Sequence, residues 1–207
     1  MTRQLDVLFV NPDSSSKAYQ GLATTYSAIE PPTWSLLLAQ SCRSKGFGVA
    51  ILDCNAERLP LDEAVIRVQE ANPRLVLFVV YGQNPNAGTT NMIGALVMSR
   101  AVKLAFPEYT IGFVGSHISA LPMKVISEES VDIVFLNEGV YALHNLLRSN
   151  IQADLPKIRG IGYKVDGTPT LNTPEHVVPQ DRMDEDLPGY AWDLLPYREK
   201  PLDLYRA

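Results

Sequence analysis

Short apolar segments alternate along the chain with segments of helical character, and this alternation constrains the fold more than any other feature. The segments rich in β-branched and aromatic residues, each flanked by polar turns, span residues 5–10, 50–53, 75–80, 109–114 and 132–136. The segments with helical spacing of apolar residues span 33–44, 61–71, 89–105, 120–128 and 140–149. Strands that are apolar almost throughout are typical of a parallel sheet covered on both faces. The sequence therefore predicts an α/β fold over residues 1–150, a doubly wound, Rossmann-like sheet of five parallel strands.

The remainder of the chain has a different character. Residues 158–165 and 168–172 are β-rich and flank Asp166-Gly167, a turn signal that predicts a small β-hairpin within an extension at 151–172. Residues 173–207 are interrupted by proline and rich in acidic residues, which excludes a long helix or a central strand. We expect this last part to be a strap or linker toward a further domain, in which Trp192, Leu194 and Leu195 prefer burial.

Charge and hydropathy exclude two classes of partner. Lys and Arg total 18 against 23 Asp and Glu, giving a net charge of −5 with no basic run, so binding to a nucleic acid backbone is not expected. The longest apolar run, residues 75–81, is far shorter than the roughly 20 residues that cross a bilayer. Asp6 interrupts the apolar stretch that a signal peptide would need, which predicts a cytoplasmic protein.

The chain has 2 cysteines, Cys42 and Cys54. Two thiols are too few to hold a structural zinc or an iron–sulfur cluster, which use three or four protein ligands. A single disulfide would satisfy the pair, but a reducing compartment favours buried free thiols. No protein-bound metal is predicted.

The loops that follow the strands are where a parallel α/β sheet places its ligand, because right-handed crossovers gather them at one edge. These loops are residues 11–32, 81–88, 115–119 and 137–139, and they are rich in Gly, Asn, Ser and Thr. Small residues allow a ligand to approach the backbone. Plainer interpretations remain open: a threonine at 89 or 90 that caps a helix, Glu138 as the partner of a helix dipole, and structural or surface histidines at 117, 144 and 176.

Several enzyme signatures are absent from the sequence. It has no Gly-x-Gly-x-x-Gly, no Walker A lysine motif, no His-Glu-x-x-His and no evident serine–histidine–acid set. A flavodoxin-like enzyme that uses a nucleotide cofactor is therefore the least favoured of the functions considered, and hydrolase chemistry lacks a nucleophile or metal.

The loops and turns of the predicted sheet contain a series of short motifs: Asn11-Pro12, Glu30-Pro31-Pro32, Gly46-Phe47-Gly48, Asp53, Val114-Gly115-Ser116-His117 and Asn137-Glu138-Gly139. Taken together, these motifs resemble those of a known family, the N-terminal cobalamin-binding domain of cobalamin-dependent radical S-adenosylmethionine enzymes. The tail is similar as well, with a hairpin at Gly160-Ile161-Gly162-Tyr163, then Asp186-Leu187-Pro188 and Ala191-Trp192-Asp193-Leu194-Leu195-Pro196. The similarity covers almost the whole chain.

The resemblance implies that cobalamin binds over the carboxyl edge of the sheet and that the loops bind rather than break bonds. The residues it implies as cofactor contacts are Asn11, Pro12, Tyr81, Gly82, Gln83, Asn84, Gly115, Ser116, His117, Glu138 and Gly139. By position, Gln83 and Asn84 would lie beneath or beside the corrin ring. No protein histidine is expected on cobalt, because the Asp-x-His-x-x-Gly signature of methionine-synthase-type domains is missing.

Two departures from the family pattern bear on function. The family has Gly-Gly-Pro-His after strand four and Gly-Glu-Gly-Glu after strand five, where this chain has Val114 and Ser116, and Asn137 and Val140. The lost glycines motivate an alternative, an interaction or substrate-presenting domain that no longer binds cobalamin.

The second departure is the absence of Cys-x-x-x-Cys-x-x-Cys, which in the family binds the four-iron four-sulfur cluster that cleaves S-adenosylmethionine. We expect this chain to be an N-terminal fragment of a radical S-adenosylmethionine enzyme, a methyltransferase or a rearrangement enzyme. S-adenosylmethionine and the cluster would bind only in the full-length protein, on a barrel in the same chain.

Overall fold

The computed structural model describes residues 5–14, 29–81, 85–196 and Tyr205. In these residues the strands are β1 Leu5–Asn11, β2 Val49–Asp53, β3 Pro73–Val79, β4 Thr110–Val114, β5 Ile133–Phe135, β6 Ile161–Val165 and β7 Thr168–Leu171. The helices are α1 Thr33–Ser44, α2 Cys54–Glu57, α3 Leu61–Ala71, α4 Pro85–Ala105, α5 Ser116–Ala120, α6 Pro122–Ile126, α7 Val140–Arg148 and α8 Met183–Asp186.

The described strands form one sheet in the order β2-β1-β3-β4-β5-β6-β7. Strands β1 to β5 pair in parallel, which confirms the predicted doubly wound α/β fold. The predicted hairpin is also present, and β6 adds it to the sheet by pairing antiparallel with β5. Its turn has positive φ at both Asp166 and Gly167, as the two-residue hairpin turn requires.

Helices cover both faces of the sheet, and alternate residues of each strand face one layer or the other. On β1, Val7 and Phe9 pack with α1 and α7, while Leu8 and Val10 pack with α3 and α4. Cys42 lies in the first layer and Cys54 in the second, so both are buried free thiols, as expected, and the sheet separates them. No helix among the described residues is long and apolar enough to cross a membrane.

One predicted helix is divided. The segment predicted as a single helix over 120–128 is instead part of two short helices, α5 and α6, that meet at Leu121. Pro122 is the first residue of α6, where its missing N–H costs nothing, but inside a longer helix it would remove a hydrogen bond.

The tail docks on the α1 and α7 face. Val178 and Ala191 are buried against this layer, and the Ala191 N–H donates to the Leu36 carbonyl oxygen of α1 over 3.2 Å. The burial expected of Leu195 is confirmed, and Leu194 is partly buried. The burial expected of Trp192 is wrong: its side chain is 44% exposed, because its ring packs on Tyr190 rather than on the core.

A buried carboxylate fixes the tail in place. Asp186 is 2% exposed, and its carboxylate contacts Lys45 Nζ at 2.9 Å, accepts from the Tyr141 hydroxyl at 2.8 Å and from Arg182 Nε at 3.2 Å. The hydrogen bond with Lys45 is the largest of the effects that lower the pKa of Asp186. The charge is therefore retained in a buried position because its partners replace water.

His144 on α7 completes this buried polar cluster. The Ser41 hydroxyl donates to the Asp186 carbonyl oxygen, so it accepts from His144 Nε2, 3.0 Å away. Burial, helped by Arg148 and Lys45, lowers the pKa of His144 to about 4, although Asp186 acts in the opposite direction. His144 is thus a neutral core residue, which agrees with the structural role favoured for it.

The His144 site predicts a specific loss of stability in acid. Between about pH 6.5 and pH 4 the unfolded imidazole is protonated and the folded one is not, so stability falls as pH falls through this window. We expect His144→Gln to remove up to about 1.4 kcal/mol per pH unit from this dependence. Urea denaturation at several pH values measures it, with the exposed His176→Gln as the control. Equal slopes of unfolding free energy against pH in the wild type, His144→Gln and His176→Gln would contradict this account.

Candidate functional site

The carboxyl edge of the parallel strands collects the predicted site residues that the structure describes. Asn11 ends β1, Tyr81 follows β3, Gly115 follows β4, and Glu138 and Gly139 follow β5. Pro12, Ser116 and His117 lie in the same loops. The predicted contacts Gly82, Gln83 and Asn84 lie outside the described residues.

The strand order reverses at β1, which lies between β2 and β3. In doubly wound sheets the ligand crevice lies beyond the carboxyl ends of the strands at such a switch point. Here that crevice is bounded by the loop after Asn11 and the loop after Val80. Both loops carry residues that the sequence singled out.

The loop after β1 is packed tightly on α4. The Ser14 hydroxyl donates to the Asn91 carbonyl oxygen over 3.0 Å and accepts from the Gly94 N–H over 3.2 Å. A Cβ at Gly94 would overlap the carbonyl oxygen of Asp13. Only a glycine on α4 therefore lets the β1 loop lie this close.

A second close approach joins the loops after β3 and β4. A Cβ at Gly115 would overlap the Val80 carbonyl oxygen, and a Cβ at Gly88 would lie 2.7 Å from Ser116 Oγ. Gly139, with φ of +74°, provides the left-handed turn that begins α7. At these positions the described loops are in direct backbone contact.

Aromatic side chains form one wall of the edge. The Tyr81 hydroxyl donates to the Asn137 carbonyl oxygen over 3.2 Å, and its ring lies 5.2 Å from that of Trp34 at the start of α1. Burial, aided by the charge of Glu138, raises the pKa of Tyr81 to about 12, so the phenol is neutral near pH 7. The buried Trp34 Nε1 has no acceptor among the described residues. The sequence analysis did not single out this donor.

His117 is held at the rim. Its Nδ1 lies 3.1 Å from Thr89 Oγ1, and burial together with the nearby Lys124 lowers its pKa. A neutral imidazole at this position accepts or donates a hydrogen bond without adding charge. Among the described residues no cluster of three or more His, Cys, Asp and Glu side chains is suited to a metal ion.

Glu138 has a partner in the tail. Its Oε2 accepts from the Val178 N–H at 2.8 Å, which joins the loop after β5 to the strap. This contact spans 40 positions of sequence, and the local pattern suggested only an interaction with the α7 dipole.

Asp53 is a further polar residue of the edge. It ends β2 beside Asn11, is 1% exposed, and accepts from Asn11 Nδ2 at 2.7 Å and from the Ala56 N–H at 3.1 Å. Burial is the main cause of its raised pKa. The sequence singled out Asp53 as part of the family resemblance, without assigning it a contact.

Residues 19–147 match the family described as the B12 binding domain. The chain belongs to the B12-binding domain family. Membership confirms the predicted fold and the predicted cofactor, cobalamin.

Solved structures show the same fold. The radical S-adenosylmethionine methyltransferase TsrM from Kitasatospora setae, with cobalamin and a four-iron four-sulfur cluster bound, is 16% identical with a TM-score of 0.61, over 86% of this chain and 30% of that one. A second structure of TsrM, with tryptophan substrate and a S-adenosylmethionine analogue, is 19% identical with a TM-score of 0.58, over 84% and 31%.

The cobalamin-dependent S-adenosylmethionine radical enzyme OxsB, with aqua-cobalamin bound, is 15% identical with a TM-score of 0.65, over 92% of this chain and 25% of that one. The B12-binding domain chain thus spans less than a third of the length of these enzymes. No curated protein sequence gives a significant match.

The close approach at Gly115 predicts a large cost for any side chain there. Gly115→Ala places a methyl group against the backbone of Val80, which cannot move without disturbing β3, so we expect a loss of about 3 kcal/mol in unfolding free energy. Gly112→Ala is the control, because the nearest atoms to its Cβ would be side-chain atoms of Phe135, Leu77 and Leu75, at 3.1, 3.2 and 3.4 Å. We expect that control to lose about 1 kcal/mol in urea denaturation. A larger loss in the control would contradict the assignment.

Proposed function

We propose that this B12-binding domain serves as the cobalamin-binding module of a radical S-adenosylmethionine enzyme, a methyltransferase or a rearrangement enzyme. The observation that carries the proposal is the arrangement of the carboxyl edge. In this member of the B12-binding domain family, the loops near the switch point are in direct backbone contact. Bound cobalamin would supply a cobalt ion able to carry a methyl group. The residues of this chain would bind and orient the cofactor.

The described residues fit a large, flat ligand rich in amides. Gly88, Gly94 and Gly115 let the described parts of the loops lie in direct contact, through backbone and small side chains. Asn11, Ser116 and His117 supply neutral polar groups. Burying them against the amides of a ligand therefore does not require a charge to lose its water. We propose these residues, with Pro12 and Gly139, as cofactor contacts.

The aromatic wall suits the same ligand. Trp34 Nε1 is a buried donor without an acceptor among the described residues, and a buried N–H in this state costs free energy until it is paired. An amide oxygen of the corrin would satisfy it. Tyr81, neutral and fixed by its bond to Asn137, would present an uncharged ring beside the cofactor.

The reaction itself would require protein outside this chain. Both cysteines are buried in separate apolar layers, and burial raises the pKa of each thiol, so neither is suited to an iron–sulfur cluster. We propose that S-adenosylmethionine and the cluster bind to a barrel that follows the strap in the full-length enzyme.

A visible-absorbance titration with hydroxocobalamin, followed by gel filtration, tests the binding function. We expect the colour to elute with the protein at near one-to-one stoichiometry. A colourless protein, both as this chain and as a longer chain that extends past residue 207, would overturn the proposal. That result would instead support a domain that binds or presents another molecule without cobalamin.

A matched pair of glutamine variants tests the position of the cofactor. Gln83→Ala removes an amide that the family resemblance places beneath or beside the corrin ring, and we expect the dissociation constant for hydroxocobalamin to rise about tenfold, as for the loss of one hydrogen bond. Gln152→Ala makes the same chemical change at an exposed position after α7 and should leave the constant unchanged. Equal affinities for both variants would count against contact with Gln83.

A further inference from the structure

Asp53 has more hydrogen-bond donors around it than its capping role requires. As the N-cap of α2 it needs only the Ala56 N–H, which it accepts on Oδ1 at 3.1 Å. Asn11 Nδ2 also donates to Oδ1, at 2.7 Å, and the Tyr205 hydroxyl donates to Oδ2 at 3.0 Å. A carboxylate that is 1% exposed needs such donors in place of water, so all of them stabilise its ionised form.

The two side-chain donors come from different parts of the chain. Asn11 ends β1 at the switch point, where the proposed function places a cofactor contact. Tyr205 belongs to the C-terminal segment and lies 152 positions from Asp53 in sequence. Since Asn11 and Tyr205 donate to different oxygens of one carboxylate, Asp53 connects Tyr205 to Asn11 at the carboxyl edge.

The contacts of the strap lead to the same edge. Near its start, the Val178 N–H donates to Glu138 after β5, and near its end Tyr205 donates to Asp53 after β2. Before residue 197, the described part of the strap lies on α1 and α7, where Asp186 meets Lys45. The tail therefore meets the carboxyl edge at two places on either side of the switch point.

We propose that Asp53 is a positioning residue that latches Tyr205 beside Asn11, and that this latch slows the release of bound cobalamin. The inference rests on the proposed function. Asp53 itself would not touch the cofactor; it would fix the amide of Asn11 and the hydroxyl of Tyr205 on the same side of the edge.

Electrostatics agree with a donating, neutral Tyr205. Burial and the negative charge of Asp53 raise the pKa of the Tyr205 phenol, with Glu57 acting in the same direction. The hydroxyl therefore keeps its proton and donates it to the carboxylate.

The latch is tested first without cobalamin, by a double-mutant cycle on the melting temperature of this chain. Tyr205→Phe removes the hydroxyl, and Asp53→Asn keeps the cap of α2, since asparagine is an equally good N-cap. We expect each variant to lower the melting temperature, and the double variant to lower it by clearly less than the sum. Additive losses would overturn the latch.

The second test measures the release of hydroxocobalamin from the preloaded chain during dilution into apo protein that captures it. We expect Tyr205→Phe to release cobalamin about tenfold faster, as for the loss of a hydrogen bond to a charged group. Tyr109→Phe, at the opposite edge of the sheet, removes a hydroxyl that lies 3.5 Å from Asn72 and should release at the wild-type rate. An unchanged or slower rate for Tyr205→Phe would overturn the inference.

These two measurements separate the latch from the binding function. If the wild-type chain binds no cobalamin, the proposed function fails and the effect on release fails with it, while the melting cycle still decides whether Asp53 and Tyr205 interact. If the chain binds cobalamin and the cycle is additive, only the latch is refuted.

Discussion

Strands β1 to β5 are covered by helices on both faces, so each strand must return through a helical crossover before the next can pair beside it. On β3, Leu75 and Leu77 pack in the α1 and α7 layer, while Val76 and Phe78 pack in the opposite layer. This two-sided burial determines where chemistry can occur. Side chains of the strands are committed to the core, so polar groups that bind a ligand lie in loops, and doubly wound sheets place them at the carboxyl edge.

Backbone contact, more than charge, determines the shape of that edge, and this bears on the positions where the chain departs from its family pattern. Val114, in place of a glycine, ends β4 and is buried in the α1 and α7 layer. Ser116 begins α5 with its hydroxyl near Gly88. The glycine that remains, Gly115, is the one whose Cβ would overlap the Val80 backbone. Positions 114 and 116 are thus ones that tolerate a side chain.

The local sequence pattern was sufficient to predict the strands and most helices, because burial on a regular element repeats with the period of that element. It was insufficient to predict contacts between residues far apart in sequence. The bond between Asp53 and Tyr205, and the bond between Glu138 and Val178, join residues far apart in sequence and have no periodic signal. The exposure of Trp192 depends on one aromatic neighbour. The division at Pro122 was visible in the sequence, since proline lacks the N–H of a helix interior.

The tail and the sheet are joined by buried polar contacts as well as by apolar ones, and this makes their relative position specific. An apolar strap alone could slide along α1, since the hydrophobic effect has no direction. The Asp186 carboxylate cannot move without leaving Lys45 and Tyr141, and exposing or unpairing a buried charge is costly. Because the same strap donates to Glu138 through Val178, the fixed tail also fixes the loop after β5. The geometry of the carboxyl edge therefore depends on residues that lie outside the parallel sheet.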